Sequence, residues 1–299
     1  MSEQAVDLQR LERIRAAFPD LALTDLHVNR DGLANDVVIV GGARVFRFPK
    51  HDWAAQLLVR EAGVLELVRR YVDVAVPDFD VRTPDMVSYR FLPGDPLMVD
   101  DLRRWPAADQ DAVAATLAHF LRQLHTIPRD VLAAHAIPVA DAARSVDDWR
   151  SLYANVEREV MPLLMRDAQE WTRRLFRPLL DDPTFLVHTP VLINGDIGPY
   201  HVLCNRDARR VTGIIDFGTA GLGDPAVDLA CLLNNYGETF LRRMDRSYPL
   251  DAATVERARF YAGTLELQWL LGGLRSDDRS WFAVHIGRAR DVMPLGSGW

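Results

Sequence analysis

The sequence predicts an α+β fold, with strands concentrated in the first third of the chain and helices filling most of the rest. Three stretches carry that expectation. VVIVGGARVFRFPK (37–50) reads as two β-type runs joined at Gly41-Gly42, a dipeptide that favours tight hairpins. ADQDAVAATLAHFLRQLHT (108–126) places Val113, Leu117, Phe120, Leu121 and Leu124 on one helical face and stops before Pro128. Between 191 and 228, VLINGDIGPYHVLCNRDARRVTGIIDFGTAGLGDPAVD reads as a loop, a hairpin turning at Arg206–Arg210, and a second loop.

Taken in order, residues 4–17 carry Val6, Leu8, Leu11 and Ile14 at helical spacing, so the chain is expected to open with a helix. After Pro19 the pattern turns to strands. The small-residue turn Asp31-Gly32-Leu33-Ala34-Asn35 precedes the first hairpin. On the second strand Val45, Arg47 and Pro49 face one way, Phe46 and Phe48 the other. A helix follows over 53–71, then two strand-like pieces around Pro77 and Pro84. Pro93-Gly94 marks a turn after MVSYRFL. From Asp109 to about Asp181 the chain is mostly helical, with one or two charged, aromatic-rich helices over 141–182. Pro225 opens a new helix, and 226–245, 251–272 and 278–292 read as helical.

Composition narrows the function. A 299-residue chain with 48% hydrophobic and 26% charged residues fits a soluble globular enzyme. Its net charge of −7 argues against a nucleic-acid partner and is compatible with a cationic substrate. No apolar run approaches a membrane span, and the charged, amphipathic start does not read as a secretory signal. The two cysteines, Cys204 and Cys231, have no metal-site spacing and read as thiols of a cytoplasmic protein.

The chemistry concentrates in the hairpin. If its strands pair about the polar turn, His201 falls opposite Ile215 and Asp216, while Asp196 sits on the loop just upstream. Two carboxylates and an imidazole then share one rim. Phosphoryl transfer needs such an arrangement: one carboxylate to orient the attacking hydroxyl, the others to hold Mg²⁺ against the phosphates.

Asn194-Gly195-Asp196, with His201 five residues on, resembles the catalytic loop of the aminoglycoside phosphotransferase family, relatives of protein kinases that act on small molecules. Ile215-Asp216-Phe217-Gly218 is similar to that family's metal-binding segment. Two positions depart from the usual pattern. Asn194 replaces a His of architectural role, and His201 replaces the Asn that ligates a second metal. A His there also occurs in the branch that includes aminoglycoside 2″- and macrolide 2′-phosphotransferases.

The resemblance implies a two-lobed protein-kinase-like fold, an antiparallel sheet lobe over 1–92 and a larger, mainly helical lobe over 93–299. It implies Asp196 as the catalytic carboxylate, with His201 and Asp216 as metal ligands. Arg47 stands where the family's phosphate-contacting base stands, paired with Glu61 on the next helix; Lys50 is a rival for the phosphate role and a solvated helix face the rival for Glu61. The backbone of Arg90, Phe91 and Leu92 is expected at the purine edge, Leu203 and Ile215 beneath the purine ring. The 31–35 turn would cover the phosphates or be an ordinary hairpin turn. Asp228 matches an aspartate that holds the catalytic-loop backbone, whereas His119 and His125 read as core or cap residues. Glu238, Glu266 and Trp269 match positions lining an acceptor pocket.

The implied activity moves the γ-phosphate of ATP or GTP to a hydroxyl of an aminoglycoside-like antibiotic. Alternatives are a macrolide, a housekeeping amino alcohol or sugar, and a nucleotide-binding pseudokinase. The short stretch from Asp216 to Asp224 disfavours a protein kinase, which needs a long activation segment. Oligomeric state leaves no trace in the sequence.

Overall fold

The structure, a computed structural model, describes residues 8–276 other than Asp31 and Leu33. The expected helix over 278–292 lies outside the described residues, as does the start of the first helix. Helix α1 (Leu8–Ala17) leads to strands β1 (Leu26–Asn29), β2 (Asn35–Val40) and β3 (Arg44–Pro49). The β2–β3 turn uses Gly41 and Gly42, each at φ +58°, a region that only glycine enters without strain. Helix α2 (Asp52–Val68) precedes β4 (Val81–Thr83) and β5 (Met86–Arg90). These strands form one antiparallel sheet in the order β1-β2-β3-β5-β4.

Strand alternation sorts the two faces of that sheet. Phe46 and Phe48 pack with Val38, Val40, Met86 and Ile14 of α1. Val45 instead joins Leu58, Ala62 and Leu65 of α2 in the main core. One expectation fails: the piece around Pro77 is not a strand. Proline lacks the N–H a ladder needs, and the segment runs instead beside the later hairpin, where Ala75 O accepts from Ile214 N at 2.9 Å.

The chain continues with the short strand β6 (Asp95–Pro96), α3 (Val99–Arg104), α4 (Ala107–His125) and α5 (Arg129–Ala134). Helix α6 (Val146–Asn155) starts at a capping box in which Ser145 Oγ accepts from Asp148 N and Asp148 Oδ2 accepts from Ser145 N. It runs on through a π turn to Leu163, and α7 (Arg166–Asp181) follows. Next come β7 (Val191–Ile193), β8 (Val202–Asn205), β9 (Arg210–Ile214) and β10 (Gly221–Gly223). Helices α8 (Ala226–Tyr236), α9 (Glu238–Met244) and α10 (Ala252–Ser276) complete the described chain. Strand β8 pairs with β6 and β9, and β7 pairs with β10. Trp149, Leu152, Val156, Phe176 and Phe260 form an aromatic core separate from the main one. No helix among the described residues is long and apolar enough to cross a membrane.

The segment Pro138–Asp141 runs alongside β10. Leu222 N donates to Pro138 O at 2.8 Å and Ala140 N to Leu222 O at 3.0 Å. A Cβ on Gly221 would lie 2.6 Å from both Ala140 N and Pro138 O, so only glycine fits beneath this strap. Gly221→Ala is expected to cost about 1–3 kcal/mol, the usual penalty of overpacking, read as a lower midpoint in chemical denaturation.

Candidate functional site

The loop after β7 is held from below by one face of α8. Asp228, fully buried, accepts from Asn194 N at 3.0 Å and Gly195 N at 2.7 Å. Three residues on, Cys231 Sγ donates to Gly195 O at 3.4 Å. Burial pushes this thiol well above its ordinary pKa, with the charges of Asp228 and Asp196 adding to the effect. Four residues further, Asn235 lies against Gly198, where a Cβ would come within 2.9 Å of its amide nitrogen. Spacing of three and then four residues keeps all three side chains on one helical face. Asp228 also pairs with His125 Nε2 at 3.0 Å, and His125 Nδ1 meets Tyr248 Oη at 2.8 Å.

Asn194, also fully buried, ties the two motif loops together. Its Nδ2 donates to Asp216 O at 2.9 Å, while its Oδ1 accepts from Asp196 N at 3.0 Å. Asp216 adopts φ +64°, an uncommon conformation for a residue with a Cβ. The hairpin has the expected register: Ile215 N donates to His201 O at 2.8 Å. Asp196, His201 and Asp216 consequently meet on one rim. His201 Nδ1 lies 3.5 Å from Asp196 Oδ2, and its Nε2 lies 3.7 Å from Asp216 Oδ2. Nδ1 is 2.6 Å from the Asp196 carbonyl oxygen, which can only accept, so Nδ1 carries a proton, and Nε2 is the ring nitrogen that faces Asp216.

Behind this rim, Arg47 Nη1 donates to Glu61 Oε1 at 2.8 Å. The same oxygen accepts from Phe217 N at 3.2 Å. Glu61 has no exposed surface, and its Oε2 has no hydrogen-bond partner. Burial raises its pKa; Arg47 opposes that rise and Asp216 adds to it. Burial alone would lower the Arg47 pKa, but Glu61, Tyr89 and Asp216 outweigh it and keep the guanidinium charged. Burial pushes Tyr89 up to about 12. Phe217 packs edge-on against Phe120 of α4, which fixes the Asp216–Gly218 loop against the main core.

Lys50 donates to Arg30 O and Gly32 O and pairs with Asp36, so it braces the backbone at Arg30 and Gly32. Phe91 N–H extends the sheet by donating to Ala43 O at 2.9 Å, which removes that donor from any purine contact. Arg90 is exposed at the end of β5. Leu92 and Leu203 converge over Gly213, their Cδ1 atoms 3.5 and 3.6 Å from where its Cβ would be. Ile215 is half-buried beside His201. Glu238 begins α9 and is bonded to Arg242 and Arg259. Glu266 and Trp269, half-buried, share a face of α10. The sequence marks Asn194 only as an architectural position and His125 only as a core or cap residue. The signal for Asn194 was its place between an apolar strand and the loop's Gly-Asp; nothing in the sequence pointed to the His125–Tyr248 pairing.

A sheet lobe joined to a helical lobe that carries these two motif loops defines the class of protein-kinase-like small-molecule kinases. Residues 25–261 match the model of the phosphotransferase enzyme family, and the chain belongs to that family. Viomycin phosphotransferase of Streptomyces vinaceus is 30% identical over 258 residues, covering 81% of this chain and 85% of its own. The structure of the GDP complex of wild-type aminoglycoside 2'-phosphotransferase-IIIa matches with a TM-score of 0.84 and 29% identity, over 95% of this chain and 97% of that one. The GDP and kanamycin complex of APH(2")-IIia matches with a TM-score of 0.81 and 30% identity, over 94% and 97%. This chain is accordingly an enzyme, a phosphotransferase with an alcohol group as acceptor.

Asp228→Ala would leave two backbone N–H groups and His125 without their acceptor, an expected loss of about 3–5 kcal/mol in unfolding free energy, read by denaturant titration. Tyr89 supplies a pH test. Its pKa is raised in the folded state to about 12 from 10.0, so the unfolded chain loses this proton first. This group's contribution is therefore intact below pH 10 and declines between 10 and about 12. Tyr89→Phe should flatten the fall in stability over that window.

Proposed function

We propose that this enzyme transfers the γ-phosphate of ATP or GTP to a hydroxyl of an aminoglycoside-like antibiotic, in a cleft between lobes formed by residues 1–92 and 93–299. The observation that supports it best is the meeting of Asp196, His201 and Asp216 on one rim, with Arg47 charged behind them. The donor set also fits Mg²⁺. Mg²⁺ prefers oxygen and commonly takes only one or two protein carboxylates, completing its octahedron with phosphate oxygens and water. Asp216 would hold it, with His201 Nε2 on the same side; when bound, the ion neutralises charge between the β- and γ-phosphates.

Asp196 orients the acceptor hydroxyl. As that oxygen bonds to the γ-phosphorus and the bond to the β-phosphate oxygen breaks, the hydroxyl proton passes to the Asp196 carboxylate and the electron pair leaves with the nucleoside diphosphate. Arg47 forks onto phosphate oxygens. Leu92, Leu203 and Ile215 enclose the base. Because Phe91 N–H already serves the sheet, base recognition falls to the other backbone groups from Arg90 to Leu92. The GDP complexes of the structural relatives make GTP a donor to set beside ATP.

For the acceptor, the net charge of −7 and the half-buried Glu266 and Trp269 favour a polyamine polyol. Glu238 already faces two guanidinium groups, so an ammonium would have to compete for it. The likeness to viomycin phosphotransferase favours viomycin as the second acceptor. Asp196→Ala should lower kcat by about 10²–10⁴-fold, the range of general-base catalysis, while nucleotide affinity changes little. A coupled assay with ATP and GTP against kanamycin, viomycin and a macrolide reads this. Undiminished turnover in the variant removes Asp196 from its role, and no turnover by wild type on any pair removes the acceptor class.

A further inference from the structure

Helix α2 carries Glu61 into the core, and the residue before it reaches a different part of the molecule. Arg60 Nη1 donates to Asp141 Oδ1 at 2.9 Å, and Nη2 to Val139 O at 3.1 Å. Both acceptors belong to the Pro138–Asp141 strap, which is bonded to Leu222 of β10. Leu222 pairs with Leu192 of β7, the strand that runs straight into Asn194-Gly195-Asp196. On the far side of the strap, Ala140 packs with Ile193 and Val227. A continuous chain of contacts thus runs from α2 through Arg60 and the strap to the strand ahead of the Asp196 loop.

This connection matters because of what Glu61 requires. Its Oε1 must meet Arg47 and Phe217 N–H at once, and a shift of α2 along or about its axis breaks both bonds. Successive helical residues project about 100° apart. Ties at 60 and 61 therefore oppose rotation as well as sliding. In protein kinases the matching ion pair is controlled by the helix and a long activation segment. Here seven residues separate Asp216 from Asp224, too few for such a segment.

We propose that Arg60 is a positioning residue: its fork onto the strap fixes α2 so that Glu61 keeps Arg47 set for the nucleotide phosphates. This rests on Arg47 as the phosphate contact. The rival is an ordinary surface ion pair, since Arg60 is 31% and Asp141 46% exposed.

The test compares wild type, Arg60→Ala, Arg60→Lys, Asp141→Ala, Glu61→Gln and the Arg60→Ala/Glu61→Gln double variant as full chains. Turnover is read with MgATP, MgGTP and kanamycin, and hydrogen exchange over residues 52–68. Arg60→Ala should raise the nucleotide KM by about fivefold to tenfold, within the usual range for a coupling mutation, without moving the KM for kanamycin. Arg60→Lys, which can reach Asp141 but cannot fork to both oxygens, should fall between. Exchange over α2 should quicken in Arg60→Ala. Because Arg60 acts through Glu61, the double variant should match Glu61→Gln in nucleotide KM. Unchanged KM and exchange in Arg60→Ala, or full additivity in the double variant, overturns the proposal. If wild type turns over neither nucleotide, the functional reading fails instead, and the exchange measurement still decides whether Arg60 restrains α2.

Discussion

A buried carboxylate sets the terms for the upper half of this site. Glu61 lies on the apolar stripe of α2 with no surface exposed, so its charge is tolerable only while Arg47 and the Phe217 N–H face it. Breaking such a pair by removing one partner typically costs about 3–5 kcal/mol. That dependence makes the geometry self-consistent. β3 must present Arg47 on the α2 side, α2 must keep its register, and the loop after Asp216 must keep Phe217 in the core. Each condition is met by packing in the main core: strand alternation puts Val45 and Arg47 on the α2 side, Leu58 and Leu65 seat α2, and Phe120 holds Phe217.

The lower half rests on a different device. Asp228, Cys231 and Asn235 line one face of α8 and meet the Asp196 loop through two backbone N–H groups, a carbonyl and a glycine. Asn194 then stitches this loop to Asp216 through its side-chain amide. An amide suits that position because one end donates and the other accepts, so a single buried residue satisfies a carbonyl on one loop and an N–H on the other.

Much of this was legible in the sequence where the cause is local. The His201–Ile215 register follows from a short polar turn, and the facing of Val45 against Phe46 from strand alternation. The pairing of Arg47 with Glu61 and the grip of Asp228 on the loop were legible through family resemblance. What escaped depends on residues far apart in the chain. The strap at 138–141 meets Leu222 some eighty positions later, and the arginines on Glu238 include one from the first third of α10. The failed strand around Pro77 shows the opposite limit: an apolar run was visible, but its neighbour is β9, not the sheet of the first lobe. Lys50 had the charge for a phosphate contact, yet two carbonyls and Asp36 already surround it.

The aromatic core of α6, α7 and α10 packs apart from the main core, with Tyr261 touching both. Side-chain volumes in one cluster can therefore drift over evolutionary time without forcing compensation in the other. That freedom belongs to α6 and α7; α10 lacks it, because its Ala258 and Ala262 sit in the main core while Phe260, Leu267 and Leu271 sit in the aromatic one. Tyr261 joins the two directly: its ring bridges the clusters and its hydroxyl donates to buried Asp224. Change at that one position would be felt in both compartments together.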